Sequence, residues 1–163
     1  MWYCSVDLFQ YSVAFFRAPA SWAAVSTPEA DALKNATLYW NKSTEQYHNA
    51  TGQRRYYTSD YPPNEFGNIT KRAFAGRGLA VNVLIHYNES KEPTRMVYRG
   101  APSDNAVSAS RTVTIYDDDN LTAPPSNQTT VGNASEFKNA VPGDASGNSV
   151  YNVVRVEVTV WRV

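Results

Sequence analysis

Hydrophobic residues follow two different periods along this chain, a helical period in its first half and a period of two in its second half. Residues 27–40 open with Thr-Pro-Glu, which supplies a hydroxyl cap, a first-turn proline and an acid, and apolar residues follow at spacings of three or four. Residues 64–75 carry a second helical pattern, and Gly76 and Gly78 then occupy positions suited to a left-handed helix cap. The pattern predicts two short helices, the first of which can run into a strand around residues 38–40.

Four later segments are predicted to be strands: three alternate apolar and polar side chains, which is the pattern of a half-buried strand, and residues 94–99 can return as the hairpin partner of the first. They are residues 79–87, 94–99, 107–116 and 151–163. In the third segment, Ser and Thr residues form a ladder on one face. In the fourth, one face consists of Val154, Val156, Val158 and Val160. Residues 117–148 are predicted to form a long polar segment, with one short helical turn near residues 135–140.

Helices followed by strands, with no helix of crossover length between the strands, favour an α+β fold over a parallel βαβ fold. We expect an N-terminal helix, or two short helices, packed on the valine face of an antiparallel sheet of four or more strands. Residues 27–163 are expected to form a single domain, and residues 1–26 an atypical N-terminal segment that is an anchor or filament-contact remnant. If subunits assemble, the predicted contact is this segment or the final strand, because an exposed valine-rich edge can pair with a strand of a neighbouring chain.

The first 25 residues are aromatic and fairly apolar, but no stretch reaches the roughly 18 apolar residues of a membrane-spanning helix. They also do not match a secretory signal peptide, because no basic residue precedes the apolar run and Asp7 interrupts it. Cys4 lacks a lipobox before it and is interpreted as a free thiol or an ordinary apolar residue. We therefore expect membrane contact only through an anchor that these residues do not show.

Composition and charge exclude several classes of function. Among 163 residues, 15 Lys and Arg balance 15 Asp and Glu, which argues against a nucleic-acid-binding protein. The single cysteine excludes an internal disulfide and a cysteine-based zinc site. The chain has no phosphate-binding loop, dinucleotide fingerprint or Gly-X-Ser-X-Gly elbow. We expect no cofactor and no enzymatic activity.

Metal binding is also not expected. Asp117, Asp118 and Asp119 could offer oxygen ligands to calcium, but the glycine and glutamate of an EF-hand loop are missing, so an acidic turn that ends a strand is the favoured interpretation. His48 and His86 have no Cys, His or Asp nearby at a spacing typical of metal ligands, and structural roles are favoured for both.

The triplet Asn-X-Ser/Thr occurs eight times without proline at X, where chance would place about two. The asparagines are Asn35, Asn41, Asn49, Asn68, Asn88, Asn120, Asn127 and Asn133. Loops rich in Asn, Ser and Thr can produce such triplets by composition alone. Because the enrichment is several-fold, the pattern indicates an extracellular chain that carries N-linked glycans.

Tyrosine is unusually frequent, with 11 residues, and several tyrosines lie close to two arginines in the sequence. This tyrosine cluster comprises Tyr47, Tyr56, Tyr57, Tyr61, Arg54 and Arg55. Aromatic rings and arginine are favoured at protein interfaces and on faces that stack against sugars. The rings could equally cover one edge of a small core, and the sequence leaves both interpretations open.

Several strings resemble a family of uncharacterised, pilin-like, membrane-anchored surface proteins of archaea, of the kind found in halophiles. The longest is RGAPSDNAVSASRTVTIYDDD at residues 99–119, and YNVVRVEVTVWR at residues 151–162 is a second. Shorter ones are LYWN at residues 38–41, RGLAVNV at residues 77–83 and HYN at residues 86–88. The resemblance covers residues 38–163. It implies a relative of type IV pilins, with an outward β-rich domain and partners that are like subunits or other surface proteins.

The leading hypothesis is a glycosylated extracellular, pilin-like subunit or surface domain that acts in filament assembly or adhesion at the cell surface. A second hypothesis is a carbohydrate- or peptide-binding module that uses the tyrosine cluster. A third is a cytosolic globular domain whose triplets are accidental. The resemblance brings no catalytic or binding residues with it.

Overall fold

A computed structural model describes residues 28–41, 60–88, 91–124, 128–143 and 149–163 of the chain. The helices are α1 (Pro28–Thr37), α2 (Glu65–Phe74) and the short α3 (Phe137–Ala140). The strands are β1 (Leu79–His86), β2 (Thr94–Val97), β3 (Val107–Tyr116) and β4 (Val150–Arg162). The predicted α+β class, with early helices and a four-stranded antiparallel sheet, is confirmed.

The second helix begins and ends close to where its sequence predicts. The side-chain oxygen of Asn64 accepts a hydrogen bond from the backbone N–H of Gly67 at 3.0 Å, which caps the first turn. After Phe74, the chain turns through Gly76 and Gly78, whose φ angles of 74° and 65° favour glycine. Gly67 itself is required by close packing, because a Cβ there would collide with the carbonyl oxygen of Pro62.

The sheet has the strand order β2-β1-β4-β3, and every neighbouring pair is antiparallel. Val81 lies opposite Val160 between β1 and β4, and Val113 lies opposite Val154 between β3 and β4. The final strand therefore occupies the middle of the sheet. The prediction that it offers an exposed edge is wrong, because strands on both sides satisfy its backbone hydrogen bonds.

The valine face of β4 packs on the helices, as predicted. Val154 and Val156 are fully buried, and Ile85 of β1 and Ile115 of β3 lie fully buried on the same face of the sheet. The helices and the segment between β3 and β4 complete this core with Leu33, Ala36, Phe66, Phe74, Leu121, Val131 and Phe137. We call this side of the sheet the apolar face.

The segment between β3 and β4 contributes more to the core than its sequence suggests. The predicted helical turn near residues 135–140 exists as α3. The preceding residues fold back on themselves, since Leu121 N–H donates to the Thr129 carbonyl and Val131 N–H donates to the Asp119 carbonyl. Leu121, Val131 and Phe137 are buried by this path. They lie far apart at no regular spacing, and so the sequence read as a polar loop.

An aromatic group fixes α3 to the start of β4. The Phe137 ring lies 6.1 Å from that of Trp40, nearly edge-on, and 6.0 Å from that of Tyr151, measured between centroids. The Tyr151 hydroxyl donates to the Val141 carbonyl at 2.7 Å. Burial is the largest cause that raises the pKa of Tyr151 to about 12, from an ordinary 10.0. The hydroxyl is therefore held protonated as part of the packing.

Candidate functional site

The side of the sheet that faces away from the helices carries most of its polar chemistry. Because side chains alternate along a strand, the residues that flank the core positions point to this second side. We call it the polar face, and it comprises Asn82, Leu84 and His86 of β1, Ser108, Ser110, Thr112 and Thr114 of β3, and Val153, Arg155, Glu157, Thr159 and Trp161 of β4. The predicted Ser and Thr ladder of the third strand lies here.

A charged group lies at the centre of the polar face. Glu157 Oε2 is 3.1 Å from His86 Nε2 and 3.1 Å from Arg155 Nη1. The other carboxylate oxygen accepts a hydrogen bond from Thr159 Oγ1 at 3.2 Å, and Thr159 Oγ1 is 2.7 Å from Ser108 Oγ. In the sequence, Arg155 and Glu157 lie two residues apart and therefore on one face of the strand. The sequence does not reveal His86 as a neighbour, because that contact depends on the register between β1 and β4.

This group is built for pairing rather than for proton transfer. Glu157 Oε2 accepts a hydrogen bond from the Arg155 guanidinium and Oε1 accepts one from the Thr159 hydroxyl, so both carboxylate oxygens have a donor. A general base needs a carboxylate or imidazole aimed at a reacting group, together with a nucleophile placed beside it. The nearest hydroxyls of the described group, those of Thr159 and Ser108, lie against each other. The contact of Glu157 with His86 joins β4 to β1, and the contact of Thr159 with Ser108 joins β4 to β3.

One end of the polar face is covered by the connection between β2 and β3. Asn82 Nδ2 donates to the Gly100 carbonyl at 2.9 Å, and Arg99 N–H donates to Asn82 Oδ1 at 2.8 Å. Asn82 is only 2% exposed, so both halves of its amide are satisfied inside the protein. The other end is open enough to leave Val153 52% exposed.

The tyrosine cluster is represented in the structure by Tyr61 alone. Its ring packs against the core, and the Arg99 guanidinium lies 5.0 Å from the ring centroid. Burial raises the pKa of Tyr61, and the charge of Arg99 opposes that rise. The other members, Tyr47, Tyr56, Tyr57, Arg54 and Arg55, lie outside the described residues, as does His48. A ligand-binding role for the cluster stays a prediction.

The acidic turn after β3 has a structural use for Asp119. Its Oδ2 accepts a hydrogen bond from the Tyr116 backbone N–H at 2.7 Å and pairs with Lys34 Nζ at 2.8 Å. Lys34 also lies 4.9 Å from the centroid of the Tyr116 ring. Within the described ranges, no three or more His, Cys, Asp or Glu side chains, Asp117 and Asp118 included, form a group that could hold a metal ion.

A surface cleft of about 400 Å³ lies between α1, the start of α2 and the segment after β3. Its lining includes Asn35, Tyr39, Asn64, Glu65 and Thr122. Burial raises the pKa of Tyr39, which keeps its hydroxyl protonated. The lining therefore offers amides, hydroxyls and one carboxylate, without a nucleophile paired to a base.

Six of the eight asparagines in Asn-X-Ser/Thr triplets lie among the described residues, and five of them are exposed. The exposed ones are Asn35 on α1, Asn68 on α2, Asn88 after β1, Asn120 after β3 and Asn133 in the 3₁₀ turn. Asn41 is buried, and its Nδ2 lies 3.4 Å from the Pro124 carbonyl. Asn49 and Asn127 lie outside the described residues.

The hydroxyl residues of three triplets also serve the fold. Thr37 Oγ1 donates to the Leu33 carbonyl at 3.0 Å, and Thr70 Oγ1 donates to the Phe66 carbonyl at 2.7 Å. Thr122 Oγ1 donates to the Asn35 carbonyl at 2.6 Å, which joins the segment after β3 to α1. A structural reason thus exists for each of these threonines, beside any role in recognition by a glycosyltransferase.

Comparison with known proteins gives a family. Searches of curated proteins and of solved structures found no significant match. None of the helices described is long and apolar enough to cross a membrane. A family model matches residues 20–160, which include the three described helices and nearly all of the sheet. On that match, the chain belongs to the family of unknown function DUF7288.

Proposed function

We propose that this chain is a glycosylated extracellular, pilin-like subunit or surface domain that acts in filament assembly or adhesion rather than in catalysis. The observation that carries the proposal is the exposure of the triplet asparagines. Five of the six within the described residues offer their side chains to solvent, as attachment of a bulky sugar requires.

The positions of the triplets support an assembly or adhesion role. Asn35 and Asn68 lie on the two helices, and Asn88 and Asn120 follow β1 and β3 at the same end of the sheet. By contrast, no triplet begins within any of the four strands. Sugars at the triplets would leave the β3 edge and the exposed hydroxyl residues of β3 on the polar face accessible to another protein.

The finer parts of the proposal have a separate basis. The archaeal source and the pilin-like character rest on the resemblance of several strings across residues 38–163 to such proteins, and the order of helices before an antiparallel sheet is compatible with them. The low fraction of charged residues, 18%, also fits a surface that glycans or neighbouring subunits keep soluble.

Peptide mass spectrometry of the protein from its native source tests glycosylation. We expect hexose-bearing peptides at Asn35, Asn68, Asn88, Asn120 and Asn133. Asn41 is the internal control, because an enzyme that acts on the folded protein cannot reach a buried amide that faces the Pro124 carbonyl. Unmodified asparagine at every triplet would overturn the glycosylation part of the proposal.

Proteolysis of intact cells tests the location. A surface domain is digested by protease added outside the cells, whereas a cytosolic marker protein in the same sample survives. If this chain survives together with the marker, the cytosolic hypothesis replaces the extracellular one.

A further inference from the structure

The two edges of the sheet differ in how they are protected from pairing with another chain. The β2 edge is four residues long, its ladder is interrupted by a register shift opposite Val83 and Leu84, and Arg95 on it is exposed. Pro93 directly precedes it. Short length, a bulge, a charge and a proline are the devices by which proteins blunt an edge strand.

The β3 edge has almost none of these devices. It is ten residues long, contains no proline, glycine or lysine, and carries a single charge at Arg111. Its pairing with β4 is continuous from Val107 to Ile115, and the register shifts only at the step to Tyr116. In the described part of the chain, β4 is the one strand that pairs with it. The outer backbone N–H and C=O groups of β3 thus form a regular template for a further strand.

We infer that β3 pairs with β3 of a second copy of this chain, antiparallel, about a twofold axis that passes at Ser110. The inference rests on the proposed assembly function and names the partner as a like subunit. A twofold axis perpendicular to the sheet keeps the apolar and polar faces continuous across the contact. The two four-stranded sheets then form one eight-stranded sheet.

The sequence of β3 selects this register. With the axis at Ser110, the cross-strand pairs are Ser110 with Ser110, Ser108 with Thr112, Ala109 with Arg111, and Val107 with Val113. The hydroxyl residues therefore meet on the polar face, where Thr and Ser pairs stabilise neighbouring strands. On the other face, Val107, which is 52% exposed in the single chain, gains an apolar neighbour.

Neighbouring registers are less favourable. An axis at Arg111 would place the guanidinium opposite its own copy, which like charge disfavours. An axis at Thr112 would set the apolar side chain of Val107 against Asp117 and bring the acidic turns into the contact. The chain's formal net charge of zero raises no general barrier to self-association.

The size of the contact sets its strength. Residues 107–113 of each copy overlap over about 23 Å, and a contact of one strand pair buries less than a standard protein interface. The pairing is therefore weak and depends on concentration, as suits subunits that are held together at a surface. Asn120 lies beyond the overlap, so a sugar there does not block it.

Sedimentation of the full, unglycosylated chain from micromolar to millimolar concentration tests the pairing. We expect a reversible monomer–dimer equilibrium. Ser110→Lys and Ser110→Glu each place like charges at the axis, and each should weaken dimerisation by about tenfold or more. An equimolar mixture of the two variants should recover dimers, because opposite charges then meet. Val153→Lys is the matched control, since Val153 is as exposed as Val107 but lies on the central strand.

Three outcomes overturn the inference: a wild-type chain that is monomeric at every concentration, dimers that are unaffected by both Ser110 variants, or loss of dimers in Val153→Lys alone. Circular dichroism of each variant shows that it is folded. Failure here is distinct from failure of the proposed function. If native protein yields glycopeptides but the unglycosylated chain is monomeric, only the β3 pairing is refuted. If the chain dimerises but no triplet carries a sugar, only the glycosylation is refuted.

Discussion

The two faces of the sheet are made by the same four strands and yet are held to their surroundings by different forces. On the apolar face, valine and isoleucine side chains pack against helices, as Ile85 and Val156 do at 0% exposure. On the polar face, the amide of Asn82 fixes a crossing loop and Glu157 forms an ion pair with Arg155. The difference implies that residues adjacent in sequence contribute to stability by unlike mechanisms and in unlike amounts.

The largest effect is expected on the apolar face. Ile85→Ala should lower the free energy of unfolding by about 2–5 kcal/mol, because a fully buried side chain leaves a cavity. Leu84→Ala, one residue earlier on the polar face and partly exposed, is the control and should cost markedly less. Urea unfolding followed by circular dichroism measures both. Equal losses would show that the two faces are not distinct in this way.

The next effect concerns Tyr151 at high pH. Its pKa is about 12 in the folded protein and near 10.0 in an unfolded chain, so the unfolded chain releases the proton first. The tyrosine's contribution is complete below about pH 10 and is lost as pH rises to about 12, with a total of about 2–3 kcal/mol. Between about pH 9 and about pH 11, the free energy of unfolding should therefore fall more steeply for the wild type than for Tyr151→Phe.

Parallel pH curves for the two proteins would refute this account of Tyr151. The comparison with the phenylalanine variant is needed because burial also raises the pKa values of Tyr39 and Tyr61. Those residues contribute equally to both proteins and cancel in the difference.

On the polar face, the largest effect should come from the buried amide. Asn82→Ala leaves the N–H of Arg99 without its side-chain acceptor and the carbonyl of Gly100 without its donor, at a cost of about 1–3 kcal/mol. Asn105→Ala removes an exposed hydrogen bond with Ser103 and should change stability by less than about 0.5 kcal/mol. A thermal melt of each variant checks the order, and an Asn82 variant as stable as the Asn105 variant would contradict it.

The smallest effect should come from the charged group. Glu157→Gln removes its ion pair with Arg155 and the carboxylate next to His86, and the side chains of Arg155 and His86 are 35% and 17% exposed. Partly exposed pairs contribute little, so the expected loss is below about 1 kcal/mol. Added salt should narrow the difference between the variant and the wild type, and a loss as large as that of Ile85→Ala would reverse the ranking of the faces.

Most of the fold could be predicted from regular patterns in the sequence. The alternation in β3 correctly placed Val113 and Ile115 on one face and the Ser and Thr ladder on the other, because a period of two fixes the direction of each side chain. Likewise, the helical spacing within residues 64–75 and the two glycines after them correctly placed α2.

What the sequence could not show depends on contacts between distant segments. The central place of β4 is set by which strands pair, and its valine-rich sequence would suit an edge or a centre. Asn82 looked like an ordinary polar position in a half-buried strand, since its partners at Arg99 and Gly100 lie on a loop that crosses the sheet. Among the candidate sites, the polar residues around the triplets correctly indicated that their asparagines are exposed, except at Asn41, which is buried.

The central position of β4 has a consequence for the order of folding. Both of its neighbours, β1 and β3, come earlier in the chain, and they do not pair with each other. A growing polypeptide can form the β1–β2 hairpin, but an isolated hairpin is marginally stable in water. The sheet is therefore completed only when β4 has been synthesised and pairs with β1 and β3. These contacts are distant in sequence and form slowly. Until then the core valines stay accessible to chaperones and proteases. We therefore expect a chain that ends before Val150 to leave its strands exposed and to be degraded.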